Sequence, residues 1–104
     1  MANFSLTPDP TFKAKVSIPV PGKKAASVEF TFKFRDGDAM KAFLDGLANY
    51  DDDTAALMDA ACGWDLSDPF ERDSVERMVK NYVGSARAVL DKYIAESTGA
   101  RLGN

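Results

Sequence analysis

Two runs of strictly alternating apolar and polar residues, joined by a Pro-Gly turn, constrain this fold more than any other feature. In the first run one face carries Phe12, Ala14, Val16, Ile18 and Val20. In the second run one face carries Val28, Phe30, Phe32 and Phe34. A period of two is typical of a strand with one buried face, and Pro21-Gly22 favours a turn between the strands. The sequence therefore predicts a long antiparallel β-hairpin, which must cover its apolar face because such a ribbon is not stable alone.

Helical periodicity after the hairpin predicts what covers it. Apolar residues recur at i, i+3, i+4 spacing in four segments that begin near Met40, Thr54, Val75 and Ala86. Gly63 is placed to end the second helix. Two strands followed by three to four helices predict an α+β domain. Within a single domain over residues 1–104, we expect a flexible lead-in over 1–10, the hairpin over 11–35, the helical part over 36–98 and a tail over 99–104.

The chemical inventory argues against catalysis. The chain has no histidine and one cysteine, so the usual near-neutral proton carrier and a cysteine-based metal site are both missing. No Gly-rich phosphate loop is present. The acidic run Asp51-Asp52-Asp53 lacks the spacing of a calcium loop. We predict a protein that is not an enzyme and has no cofactor or metal site, with an enzyme using lysine or carboxylates around Trp64 as a rival hypothesis.

Charge and hydropathy argue against nucleic acid and membranes as partners. The net charge is −3, so a general attraction to nucleic acid is not expected. The polar face of the hairpin carries lysines but none of the exposed aromatic residues of an RNA-binding sheet. These lysines instead discourage pairing between strand edges. No stretch approaches the roughly 18 apolar residues that span a membrane, and the first residues do not resemble a signal peptide. The expected compartment is the cytoplasm.

Two aromatic features have both a structural and a functional interpretation. Cys62 precedes Gly63-Trp64 at the expected end of a helix, so we predict a buried structural cysteine and a core or pocket-lining Trp64. The phenylalanines of the hairpin are numerous for a sheet of two strands. They either fill the core completely or leave an apolar patch for a partner or an oligomer, and both interpretations remain open.

A string of short motifs runs in order from Phe12 to the last residue. It consists of Val16-Ser17-Ile18-Pro19-Val20-Pro21-Gly22, the strand from Val28 to Arg35, Gly63-Trp64-Asp65, Pro69-Phe70, Asn81-Tyr82, Gly84, Ala86, Tyr93 and Gly103-Asn104. In this order and spacing the chain resembles the tail assembly chaperones of long-tailed bacteriophages. Val83 departs from the proline expected after Asn-Tyr, so the third and fourth helices are expected to be less sharply divided than in relatives.

The resemblance implies a function. Such chaperones coat the helical, apolar tape-measure protein, keep it soluble and recruit tail-tube subunits, so both are expected partners, and a homo-oligomer is left open. Binding a helix in a groove suits this role. We predict that the surface lies where hairpin and helices meet, formed by Phe30, Phe32, Phe34, Met40, Trp64 and Tyr82. The protein is not expected in the finished virion; the alternative is a structural virion component of the tail tube or the head–tail junction.

Overall fold

The order of the elements follows the alternating and helical patterns, with one strand added. A computed structural model of the protein describes residues 4–99. The strands are β1 (Thr11–Ile18), β2 (Ala26–Lys33) and β3 (Ala61–Trp64). The helices are α1 (Gly37–Asp45), α2 (Asp53–Ala60), α3 (Arg72–Asn81) and α4 (Ser85–Thr98), with a short 3-10 turn over Leu47–Asn49. The predicted α+β class, with a hairpin and four helices, is confirmed.

The sheet is antiparallel throughout and has the order β1-β2-β3. The hairpin register pairs Thr11 with Lys33 at its base and Ile18 with Ala26 at its distal end. Gly22, with a φ of 75°, makes the turn between the strands. A positive φ costs glycine little because it has no Cβ, so the predicted Pro-Gly turn is confirmed.

The third strand overturns two expectations about Cys62 and Gly63. α2 ends at Ala60 and the chain continues directly into β3, so the prediction that Gly63 ends the helix is wrong. β3 pairs Gly63 with Thr31 and Ala61 with Phe32, which leaves Cys62 as the extra residue of a bulge. A bulge turns its unpaired residue out of the regular alternation. The thiol is exposed, and the prediction of a buried cysteine is also wrong.

The core lies between the sheet and the helices and is richest in aromatic rings near the base of the hairpin. Tyr93 is fully buried and stacks on Phe32 and Phe12, at centroid distances of 5.1 and 6.2 Å. Phe43 meets the same ring edge-on at 5.4 Å. Such aromatic pairs add to the stabilisation that their burial already provides. α4 packs against β1, and α2 contacts both α3 and α4, so all the main elements share this core.

A glycine lies at each end of the last helix. Gly84 precedes α4, and three residues, 82–84, separate α4 from α3. Gly99 follows α4 in the left-handed conformation and donates its N–H to the Ala95 carbonyl oxygen, which is a common way to end a helix. Among residues 4–99, none of the helices combines the length and the apolar character required to cross a membrane.

Candidate protein-binding site

An apolar groove opens at the distal half of the hairpin, where the sheet meets the end of α3. Its first part, of about 220 Å³, is lined by Ile18, Val20, Ala26, Val28, Leu66, Met78 and Tyr82. Its second part, of about 190 Å³, is lined by Trp64, Leu66, Asp68, Ser74, Arg77, Met78, Asn81 and Tyr82. The two parts share Leu66, Met78 and Tyr82, so they lie side by side on one surface. We call this surface the distal groove.

The floor of the distal groove belongs to the hydrophobic core, and its rim is partly exposed. Ile18, Val28 and Met78 are buried at the floor. Leu66 and Tyr82 stand at the rim, where 41% and 38% of their surfaces are exposed. An apolar side chain entering the first part of the groove would contact the hydrocarbon of Ile18, Val28 and Met78. Its burial would also remove rim surface from water, which favours association.

The connection between α3 and α4 places Tyr82 at the rim. Tyr82 leaves the helix in an extended conformation, while its N–H still donates to the Met78 carbonyl oxygen at 2.8 Å. The Ser85 N–H donates to the Tyr82 carbonyl oxygen at 2.8 Å and so turns the chain into α4. A Cβ at Gly84 would approach Cγ of Pro19 to 3.2 Å. The connection therefore lies tightly on the hairpin and needs a small residue at this point.

β3 and the loop after it hold Trp64 in the second part of the groove. Its ring meets Phe70 edge-on at 5.2 Å and Phe30 at 5.8 Å. Its indole N–H donates to the Asp68 carbonyl oxygen at 2.7 Å. These contacts fix the ring, so the wall of the groove is formed before any partner arrives. Trp64 is the single tryptophan of the chain, and its fluorescence reports directly on this site.

Charged groups border the groove on both sides. Arg77 and Asp68 form an ion pair of 3.3 Å, with side chains 65% and 62% exposed. An exposed pair of this kind contributes little stability, so both groups remain available to a partner. Lys23 and Lys24 are exposed in the hairpin turn beside Val20. The apolar groove thus has polar edges, as protein-binding surfaces commonly do.

The structure separates the residues that the sequence analysis assigned to partner binding. Trp64 and Tyr82 both line the distal groove. Phe30 and Phe32 are fully buried in the core and line neither part of the distal groove. Sequence reasoning did not select Leu66, because an isolated leucine in a loop rich in Asp and Ser gives no periodic signal.

Met40 lies at a separate cleft near the base of the hairpin, and Phe34 lies at the same end. This base cleft has a volume of about 390 Å³ and is lined by Arg35, Asp36, Gly37, Met40, Lys41, Leu44, Asp45, Ser97 and Thr98. It is larger than either part of the distal groove, and six of its nine lining residues are charged or polar. Met40 is buried, and Phe34 is 42% exposed without lining the cleft. The binding role of all six residues stays a prediction.

The most perturbed ionisable groups lie at the base of the hairpin. A hydrogen bond from Tyr50 and the nearby Arg35 guanidinium hold the pKa of Asp59 below its usual value. Burial, together with the bond to Asp59, raises the pKa of Tyr50 to about 12. Arg35 contacts Asp59 at 3.1 Å and donates to the Tyr93 hydroxyl at 2.8 Å. These groups satisfy one another's hydrogen-bonding and charge requirements, and the network links β2, α2 and α4. We call Arg35, Tyr50, Asp59 and Tyr93 together the clamp.

No metal-binding arrangement occurs in the part of the chain that the structure describes: among residues 4–99, no three His, Cys, Asp or Glu side chains are grouped to hold an ion.

A comparison with protein-family models matches residues 1–104 to a family described as phage tail assembly chaperone. No curated protein and no solved structure matches the chain.

Proposed function

The chain belongs to the phage tail assembly chaperone family, and from this premise we propose that it binds the tape-measure protein of its phage during tail assembly. The resemblance carried by the order of the motifs is confirmed by the family match. In our proposal, amphipathic helices of the tape-measure protein place their apolar side in the distal groove, and the chaperone keeps them from aggregating until tail-tube subunits surround them.

The observation that carries this proposal is the apolar lining of the distal groove. Its buried floor and half-exposed rim of Leu66 and Tyr82 suit the mode of recognition in which a helix inserts side chains spaced at i, i+3 and i+4. Met78 lines both parts, and its flexible thioether can repack around different side chains. A protein that binds many similar segments along one partner needs such tolerance.

Membership of an assembly-chaperone family also points to a role without catalysis. We propose that the chain is not an enzyme and uses no cofactor. Tyr50, whose pKa is raised to about 12, and Asp59, whose pKa is lowered, are hydrogen-bonded to each other at the base of the hairpin, and neither lines the distal groove. Binding in that groove requires only apolar contact and a polar rim.

Co-expression with the tape-measure protein of the same phage tests the proposal. The wild-type chain should keep that protein soluble and should co-purify with it. Leu66→Asp places a charge on the rim shared by both parts of the groove and should weaken binding at least tenfold, since an unpaired charge on an apolar surface disfavours association.

The matched control is Leu44→Asp, because Leu44 is a leucine of similar exposure, 37%, outside the distal groove. It should leave binding unchanged. A tape-measure protein that stays insoluble with the wild-type chain would contradict the proposed function. Equal loss with both aspartate variants would instead contradict the assignment of the groove.

The site of action follows from the same proposal. An assembly chaperone should act in the cytoplasm of the host cell and leave before the tail is finished. Mass spectrometry of purified particles should therefore detect tail-tube subunits and no copies of this chain. Stoichiometric amounts of the chain in the particle would favour the structural virion component instead.

A further inference from the structure

The two parts of the distal groove differ in chemistry. Apolar side chains and Tyr82 line the first part. In the second part, four of the eight lining residues are polar or charged: Asp68, Ser74, Arg77 and Asn81. The second part therefore offers a partner hydrogen bonds as well as hydrocarbon.

Two elements of the fold bring these polar groups together. Ser74, Arg77 and Asn81 stand at positions i, i+3 and i+7 of α3, so they share one side of the helix. Asp68 comes from the loop after β3, and its carboxylate meets the Arg77 guanidinium at 3.3 Å. The polar groups thus follow the length of α3 and are joined by one carboxylate from the loop.

Ser74 is a buried polar residue whose hydroxyl has no protein partner. The residue is 7% exposed, yet it lines the second part of the groove. Its hydroxyl makes no hydrogen bond with another of residues 4–99. An apolar side chain packed over this hydroxyl would seal it from water without a partner, which costs free energy. Ser74 therefore favours an occupant that forms hydrogen bonds.

The charges that line the second part cancel. Among the residues that the structure describes, Arg77 and Asp68 are the only charged residues of this lining, and they are paired with each other. Asp65, in the same loop, lies outside the lining, and its carboxylate accepts the Glu29 N–H. A carboxylate entering the groove would approach Asp68, and an ammonium group would approach Arg77. The balance of charge therefore favours an uncharged occupant.

We infer that the second part of the distal groove binds a carboxamide side chain, Gln or Asn, from the helix whose apolar residue enters the first part. Ser74 and Asn81 can each donate and accept, Arg77 donates, and Asp68 accepts. A carboxamide combines an acceptor oxygen with a donor NH2 group, so it matches this set without adding charge. The identity of the partner rests on the proposed function, whereas the preference for a carboxamide does not.

The spacing of the two anchors on the partner follows from the groove. Both parts share Leu66, Met78 and Tyr82, so their occupants are neighbours. On a helix, the neighbouring side chains are those three or four residues apart, with Cβ atoms about 5–6 Å from each other. The carboxamide should therefore stand three or four residues from the apolar anchor.

Designed helical peptides test the preference without the tape-measure protein. Each alanine-rich peptide carries one Leu and, three or four residues later, Gln, Met, Glu or Lys. Trp64 fluorescence measures binding, because the ring lines the second part. The Gln peptide should bind about tenfold more tightly than the Met peptide, which buries the polar groups unsatisfied. Equal affinity for Gln and Met, tighter binding of Glu or Lys, or no binding of the Gln peptide overturns the inference.

Ser74→Ala examines the buried hydroxyl. It should weaken binding of the Gln peptide about fivefold, as expected for one lost hydrogen bond, and leave binding of the Met peptide unchanged. Ser97→Ala is the matched control, because the Ser97 hydroxyl is also buried without a partner among residues 4–99 but lines the base cleft. Its affinity for both peptides should equal that of the wild type. An unchanged preference for Gln in Ser74→Ala would contradict the role of the hydroxyl.

Two further variants move the preference in opposite directions. Asp68→Asn leaves Arg77 without its carboxylate and should shift the preference from Gln to Glu. Arg77→Gln leaves Asp68 without its guanidinium and should shift the preference to Lys. A general loss of packing would weaken all the peptides alike, so a preference that neither variant moves overturns the assignment of these groups.

Peptides from the tape-measure protein of the same phage separate this inference from the proposed function. In peptides that bind, replacing one Gln by Met should cost about tenfold in affinity. A tape-measure protein that binds neither as peptides nor at full length would contradict the proposed function, while the preference among the designed peptides would stand. Tape-measure peptides that bind with no dependence on any carboxamide would contradict the inference alone.

Discussion

The two ends of the hairpin use one alternating pattern to build opposite kinds of surface. At the base, Phe12 and Phe32 stack on the buried ring of Tyr93 at 6.2 and 5.1 Å. At the distal end, the same face of the sheet presents Ile18 and Val28. These aliphatic side chains are smaller, and α3 ends beside them. Aromatic rings therefore cover the sheet face at the base, with the base cleft opening beside it at Met40, whereas the same face borders an open groove at the distal end.

The difference teaches where stability and binding reside in this molecule. The base combines close aromatic packing with the Arg35–Asp59 ion pair of the clamp. Both contribute to the stability of the fold. The distal end leaves Leu66 and Tyr82 half-exposed, which adds little to folding but leaves apolar surface for a partner. Substitutions at the two ends should consequently affect different measurements.

Phe32→Ala should have the largest effect on folding. The side chain is fully buried, and truncating a buried phenylalanine costs about 3–5 kcal/mol, a large share of the roughly 5–15 kcal/mol that stabilises a typical domain. Urea denaturation measures the loss. Phe34→Ala, at 42% exposure, is the matched control and should cost less than about 1 kcal/mol. Similar costs for both would show that the burial of Phe32 does not stabilise the base.

Tyr93→Phe should come next, because it keeps the ring stack and removes only the hydroxyl. That hydroxyl accepts from Arg35 at 2.8 Å and donates to the Lys33 carbonyl oxygen at 2.9 Å. Loss of a buried hydrogen-bonding group costs about 1–3 kcal/mol. Thermal unfolding should register this loss while Trp64 fluorescence and tape-measure binding stay unchanged. Loss of binding in a variant that is still folded would contradict the separation of the two ends.

The clamp at the base should make stability depend on pH in both directions. The pKa of Asp59 is lowered in the folded protein. Its contribution to stability is therefore present above the pKa of the unfolded chain, about 3.9, and is lost as pH falls through the folded pKa. The pKa of Tyr50 is raised to about 12, so its stabilisation is present below about pH 10 and is lost as pH rises through about 12.

Urea midpoints measured across pH check both limbs of this dependence. Asp59→Asn should flatten the acid limb, and Tyr50→Phe should flatten the alkaline limb. The groove variant Leu66→Asp should retain both limbs, since its residue lies outside the clamp. Unchanged limbs in the two clamp variants would show that other groups set the pH dependence.

Gly84→Ala should have the smallest effect on folding, below about 1 kcal/mol. The new Cβ would lie 3.2 Å from Cγ of Pro19, so the proline ring must shift by a few tenths of an ångström. The shift moves the rim and should weaken tape-measure binding more than it affects urea denaturation. Gly37→Ala is the control, because its Cβ would meet no atom within 4 Å. Equal binding by both variants would show that the groove tolerates movement at this point.

The hairpin was predictable because its signal is local and repeated. Alternation from Phe12 and from Val28 determines which side chains share a face, and the Pro-Gly turn brings the two runs together. β3 carries no such signal. Its four residues, 61–64, follow a helical segment and form a strand because β2 offers an unpaired edge beside them. That edge exists only after the hairpin has folded.

The candidate site was predictable in part. Trp64 stood out as the only tryptophan, and Tyr82 as the last residue of a helical stripe, and both line the distal groove. The number of phenylalanines on the hairpin predicts that some stay uncovered, Phe30 among them, but the structure buries Phe30 fully, since pattern alone does not tell a covered ring from an exposed one. Leu66 escaped notice because its role depends on where the loop after β3 lies.

The sequence by itself determined the class of this protein: alternation requires a hairpin, helical spacing requires a cover, and the absence of histidine from the chain disfavours common catalytic chemistry. Only the tertiary structure decided which part of the apolar face stays open. That outcome depends on where α3 ends, how Gly84 meets Pro19 and which aromatic rings fill the base. These are distances between residues far apart in the chain, and periodicity, which is a local property, does not encode them.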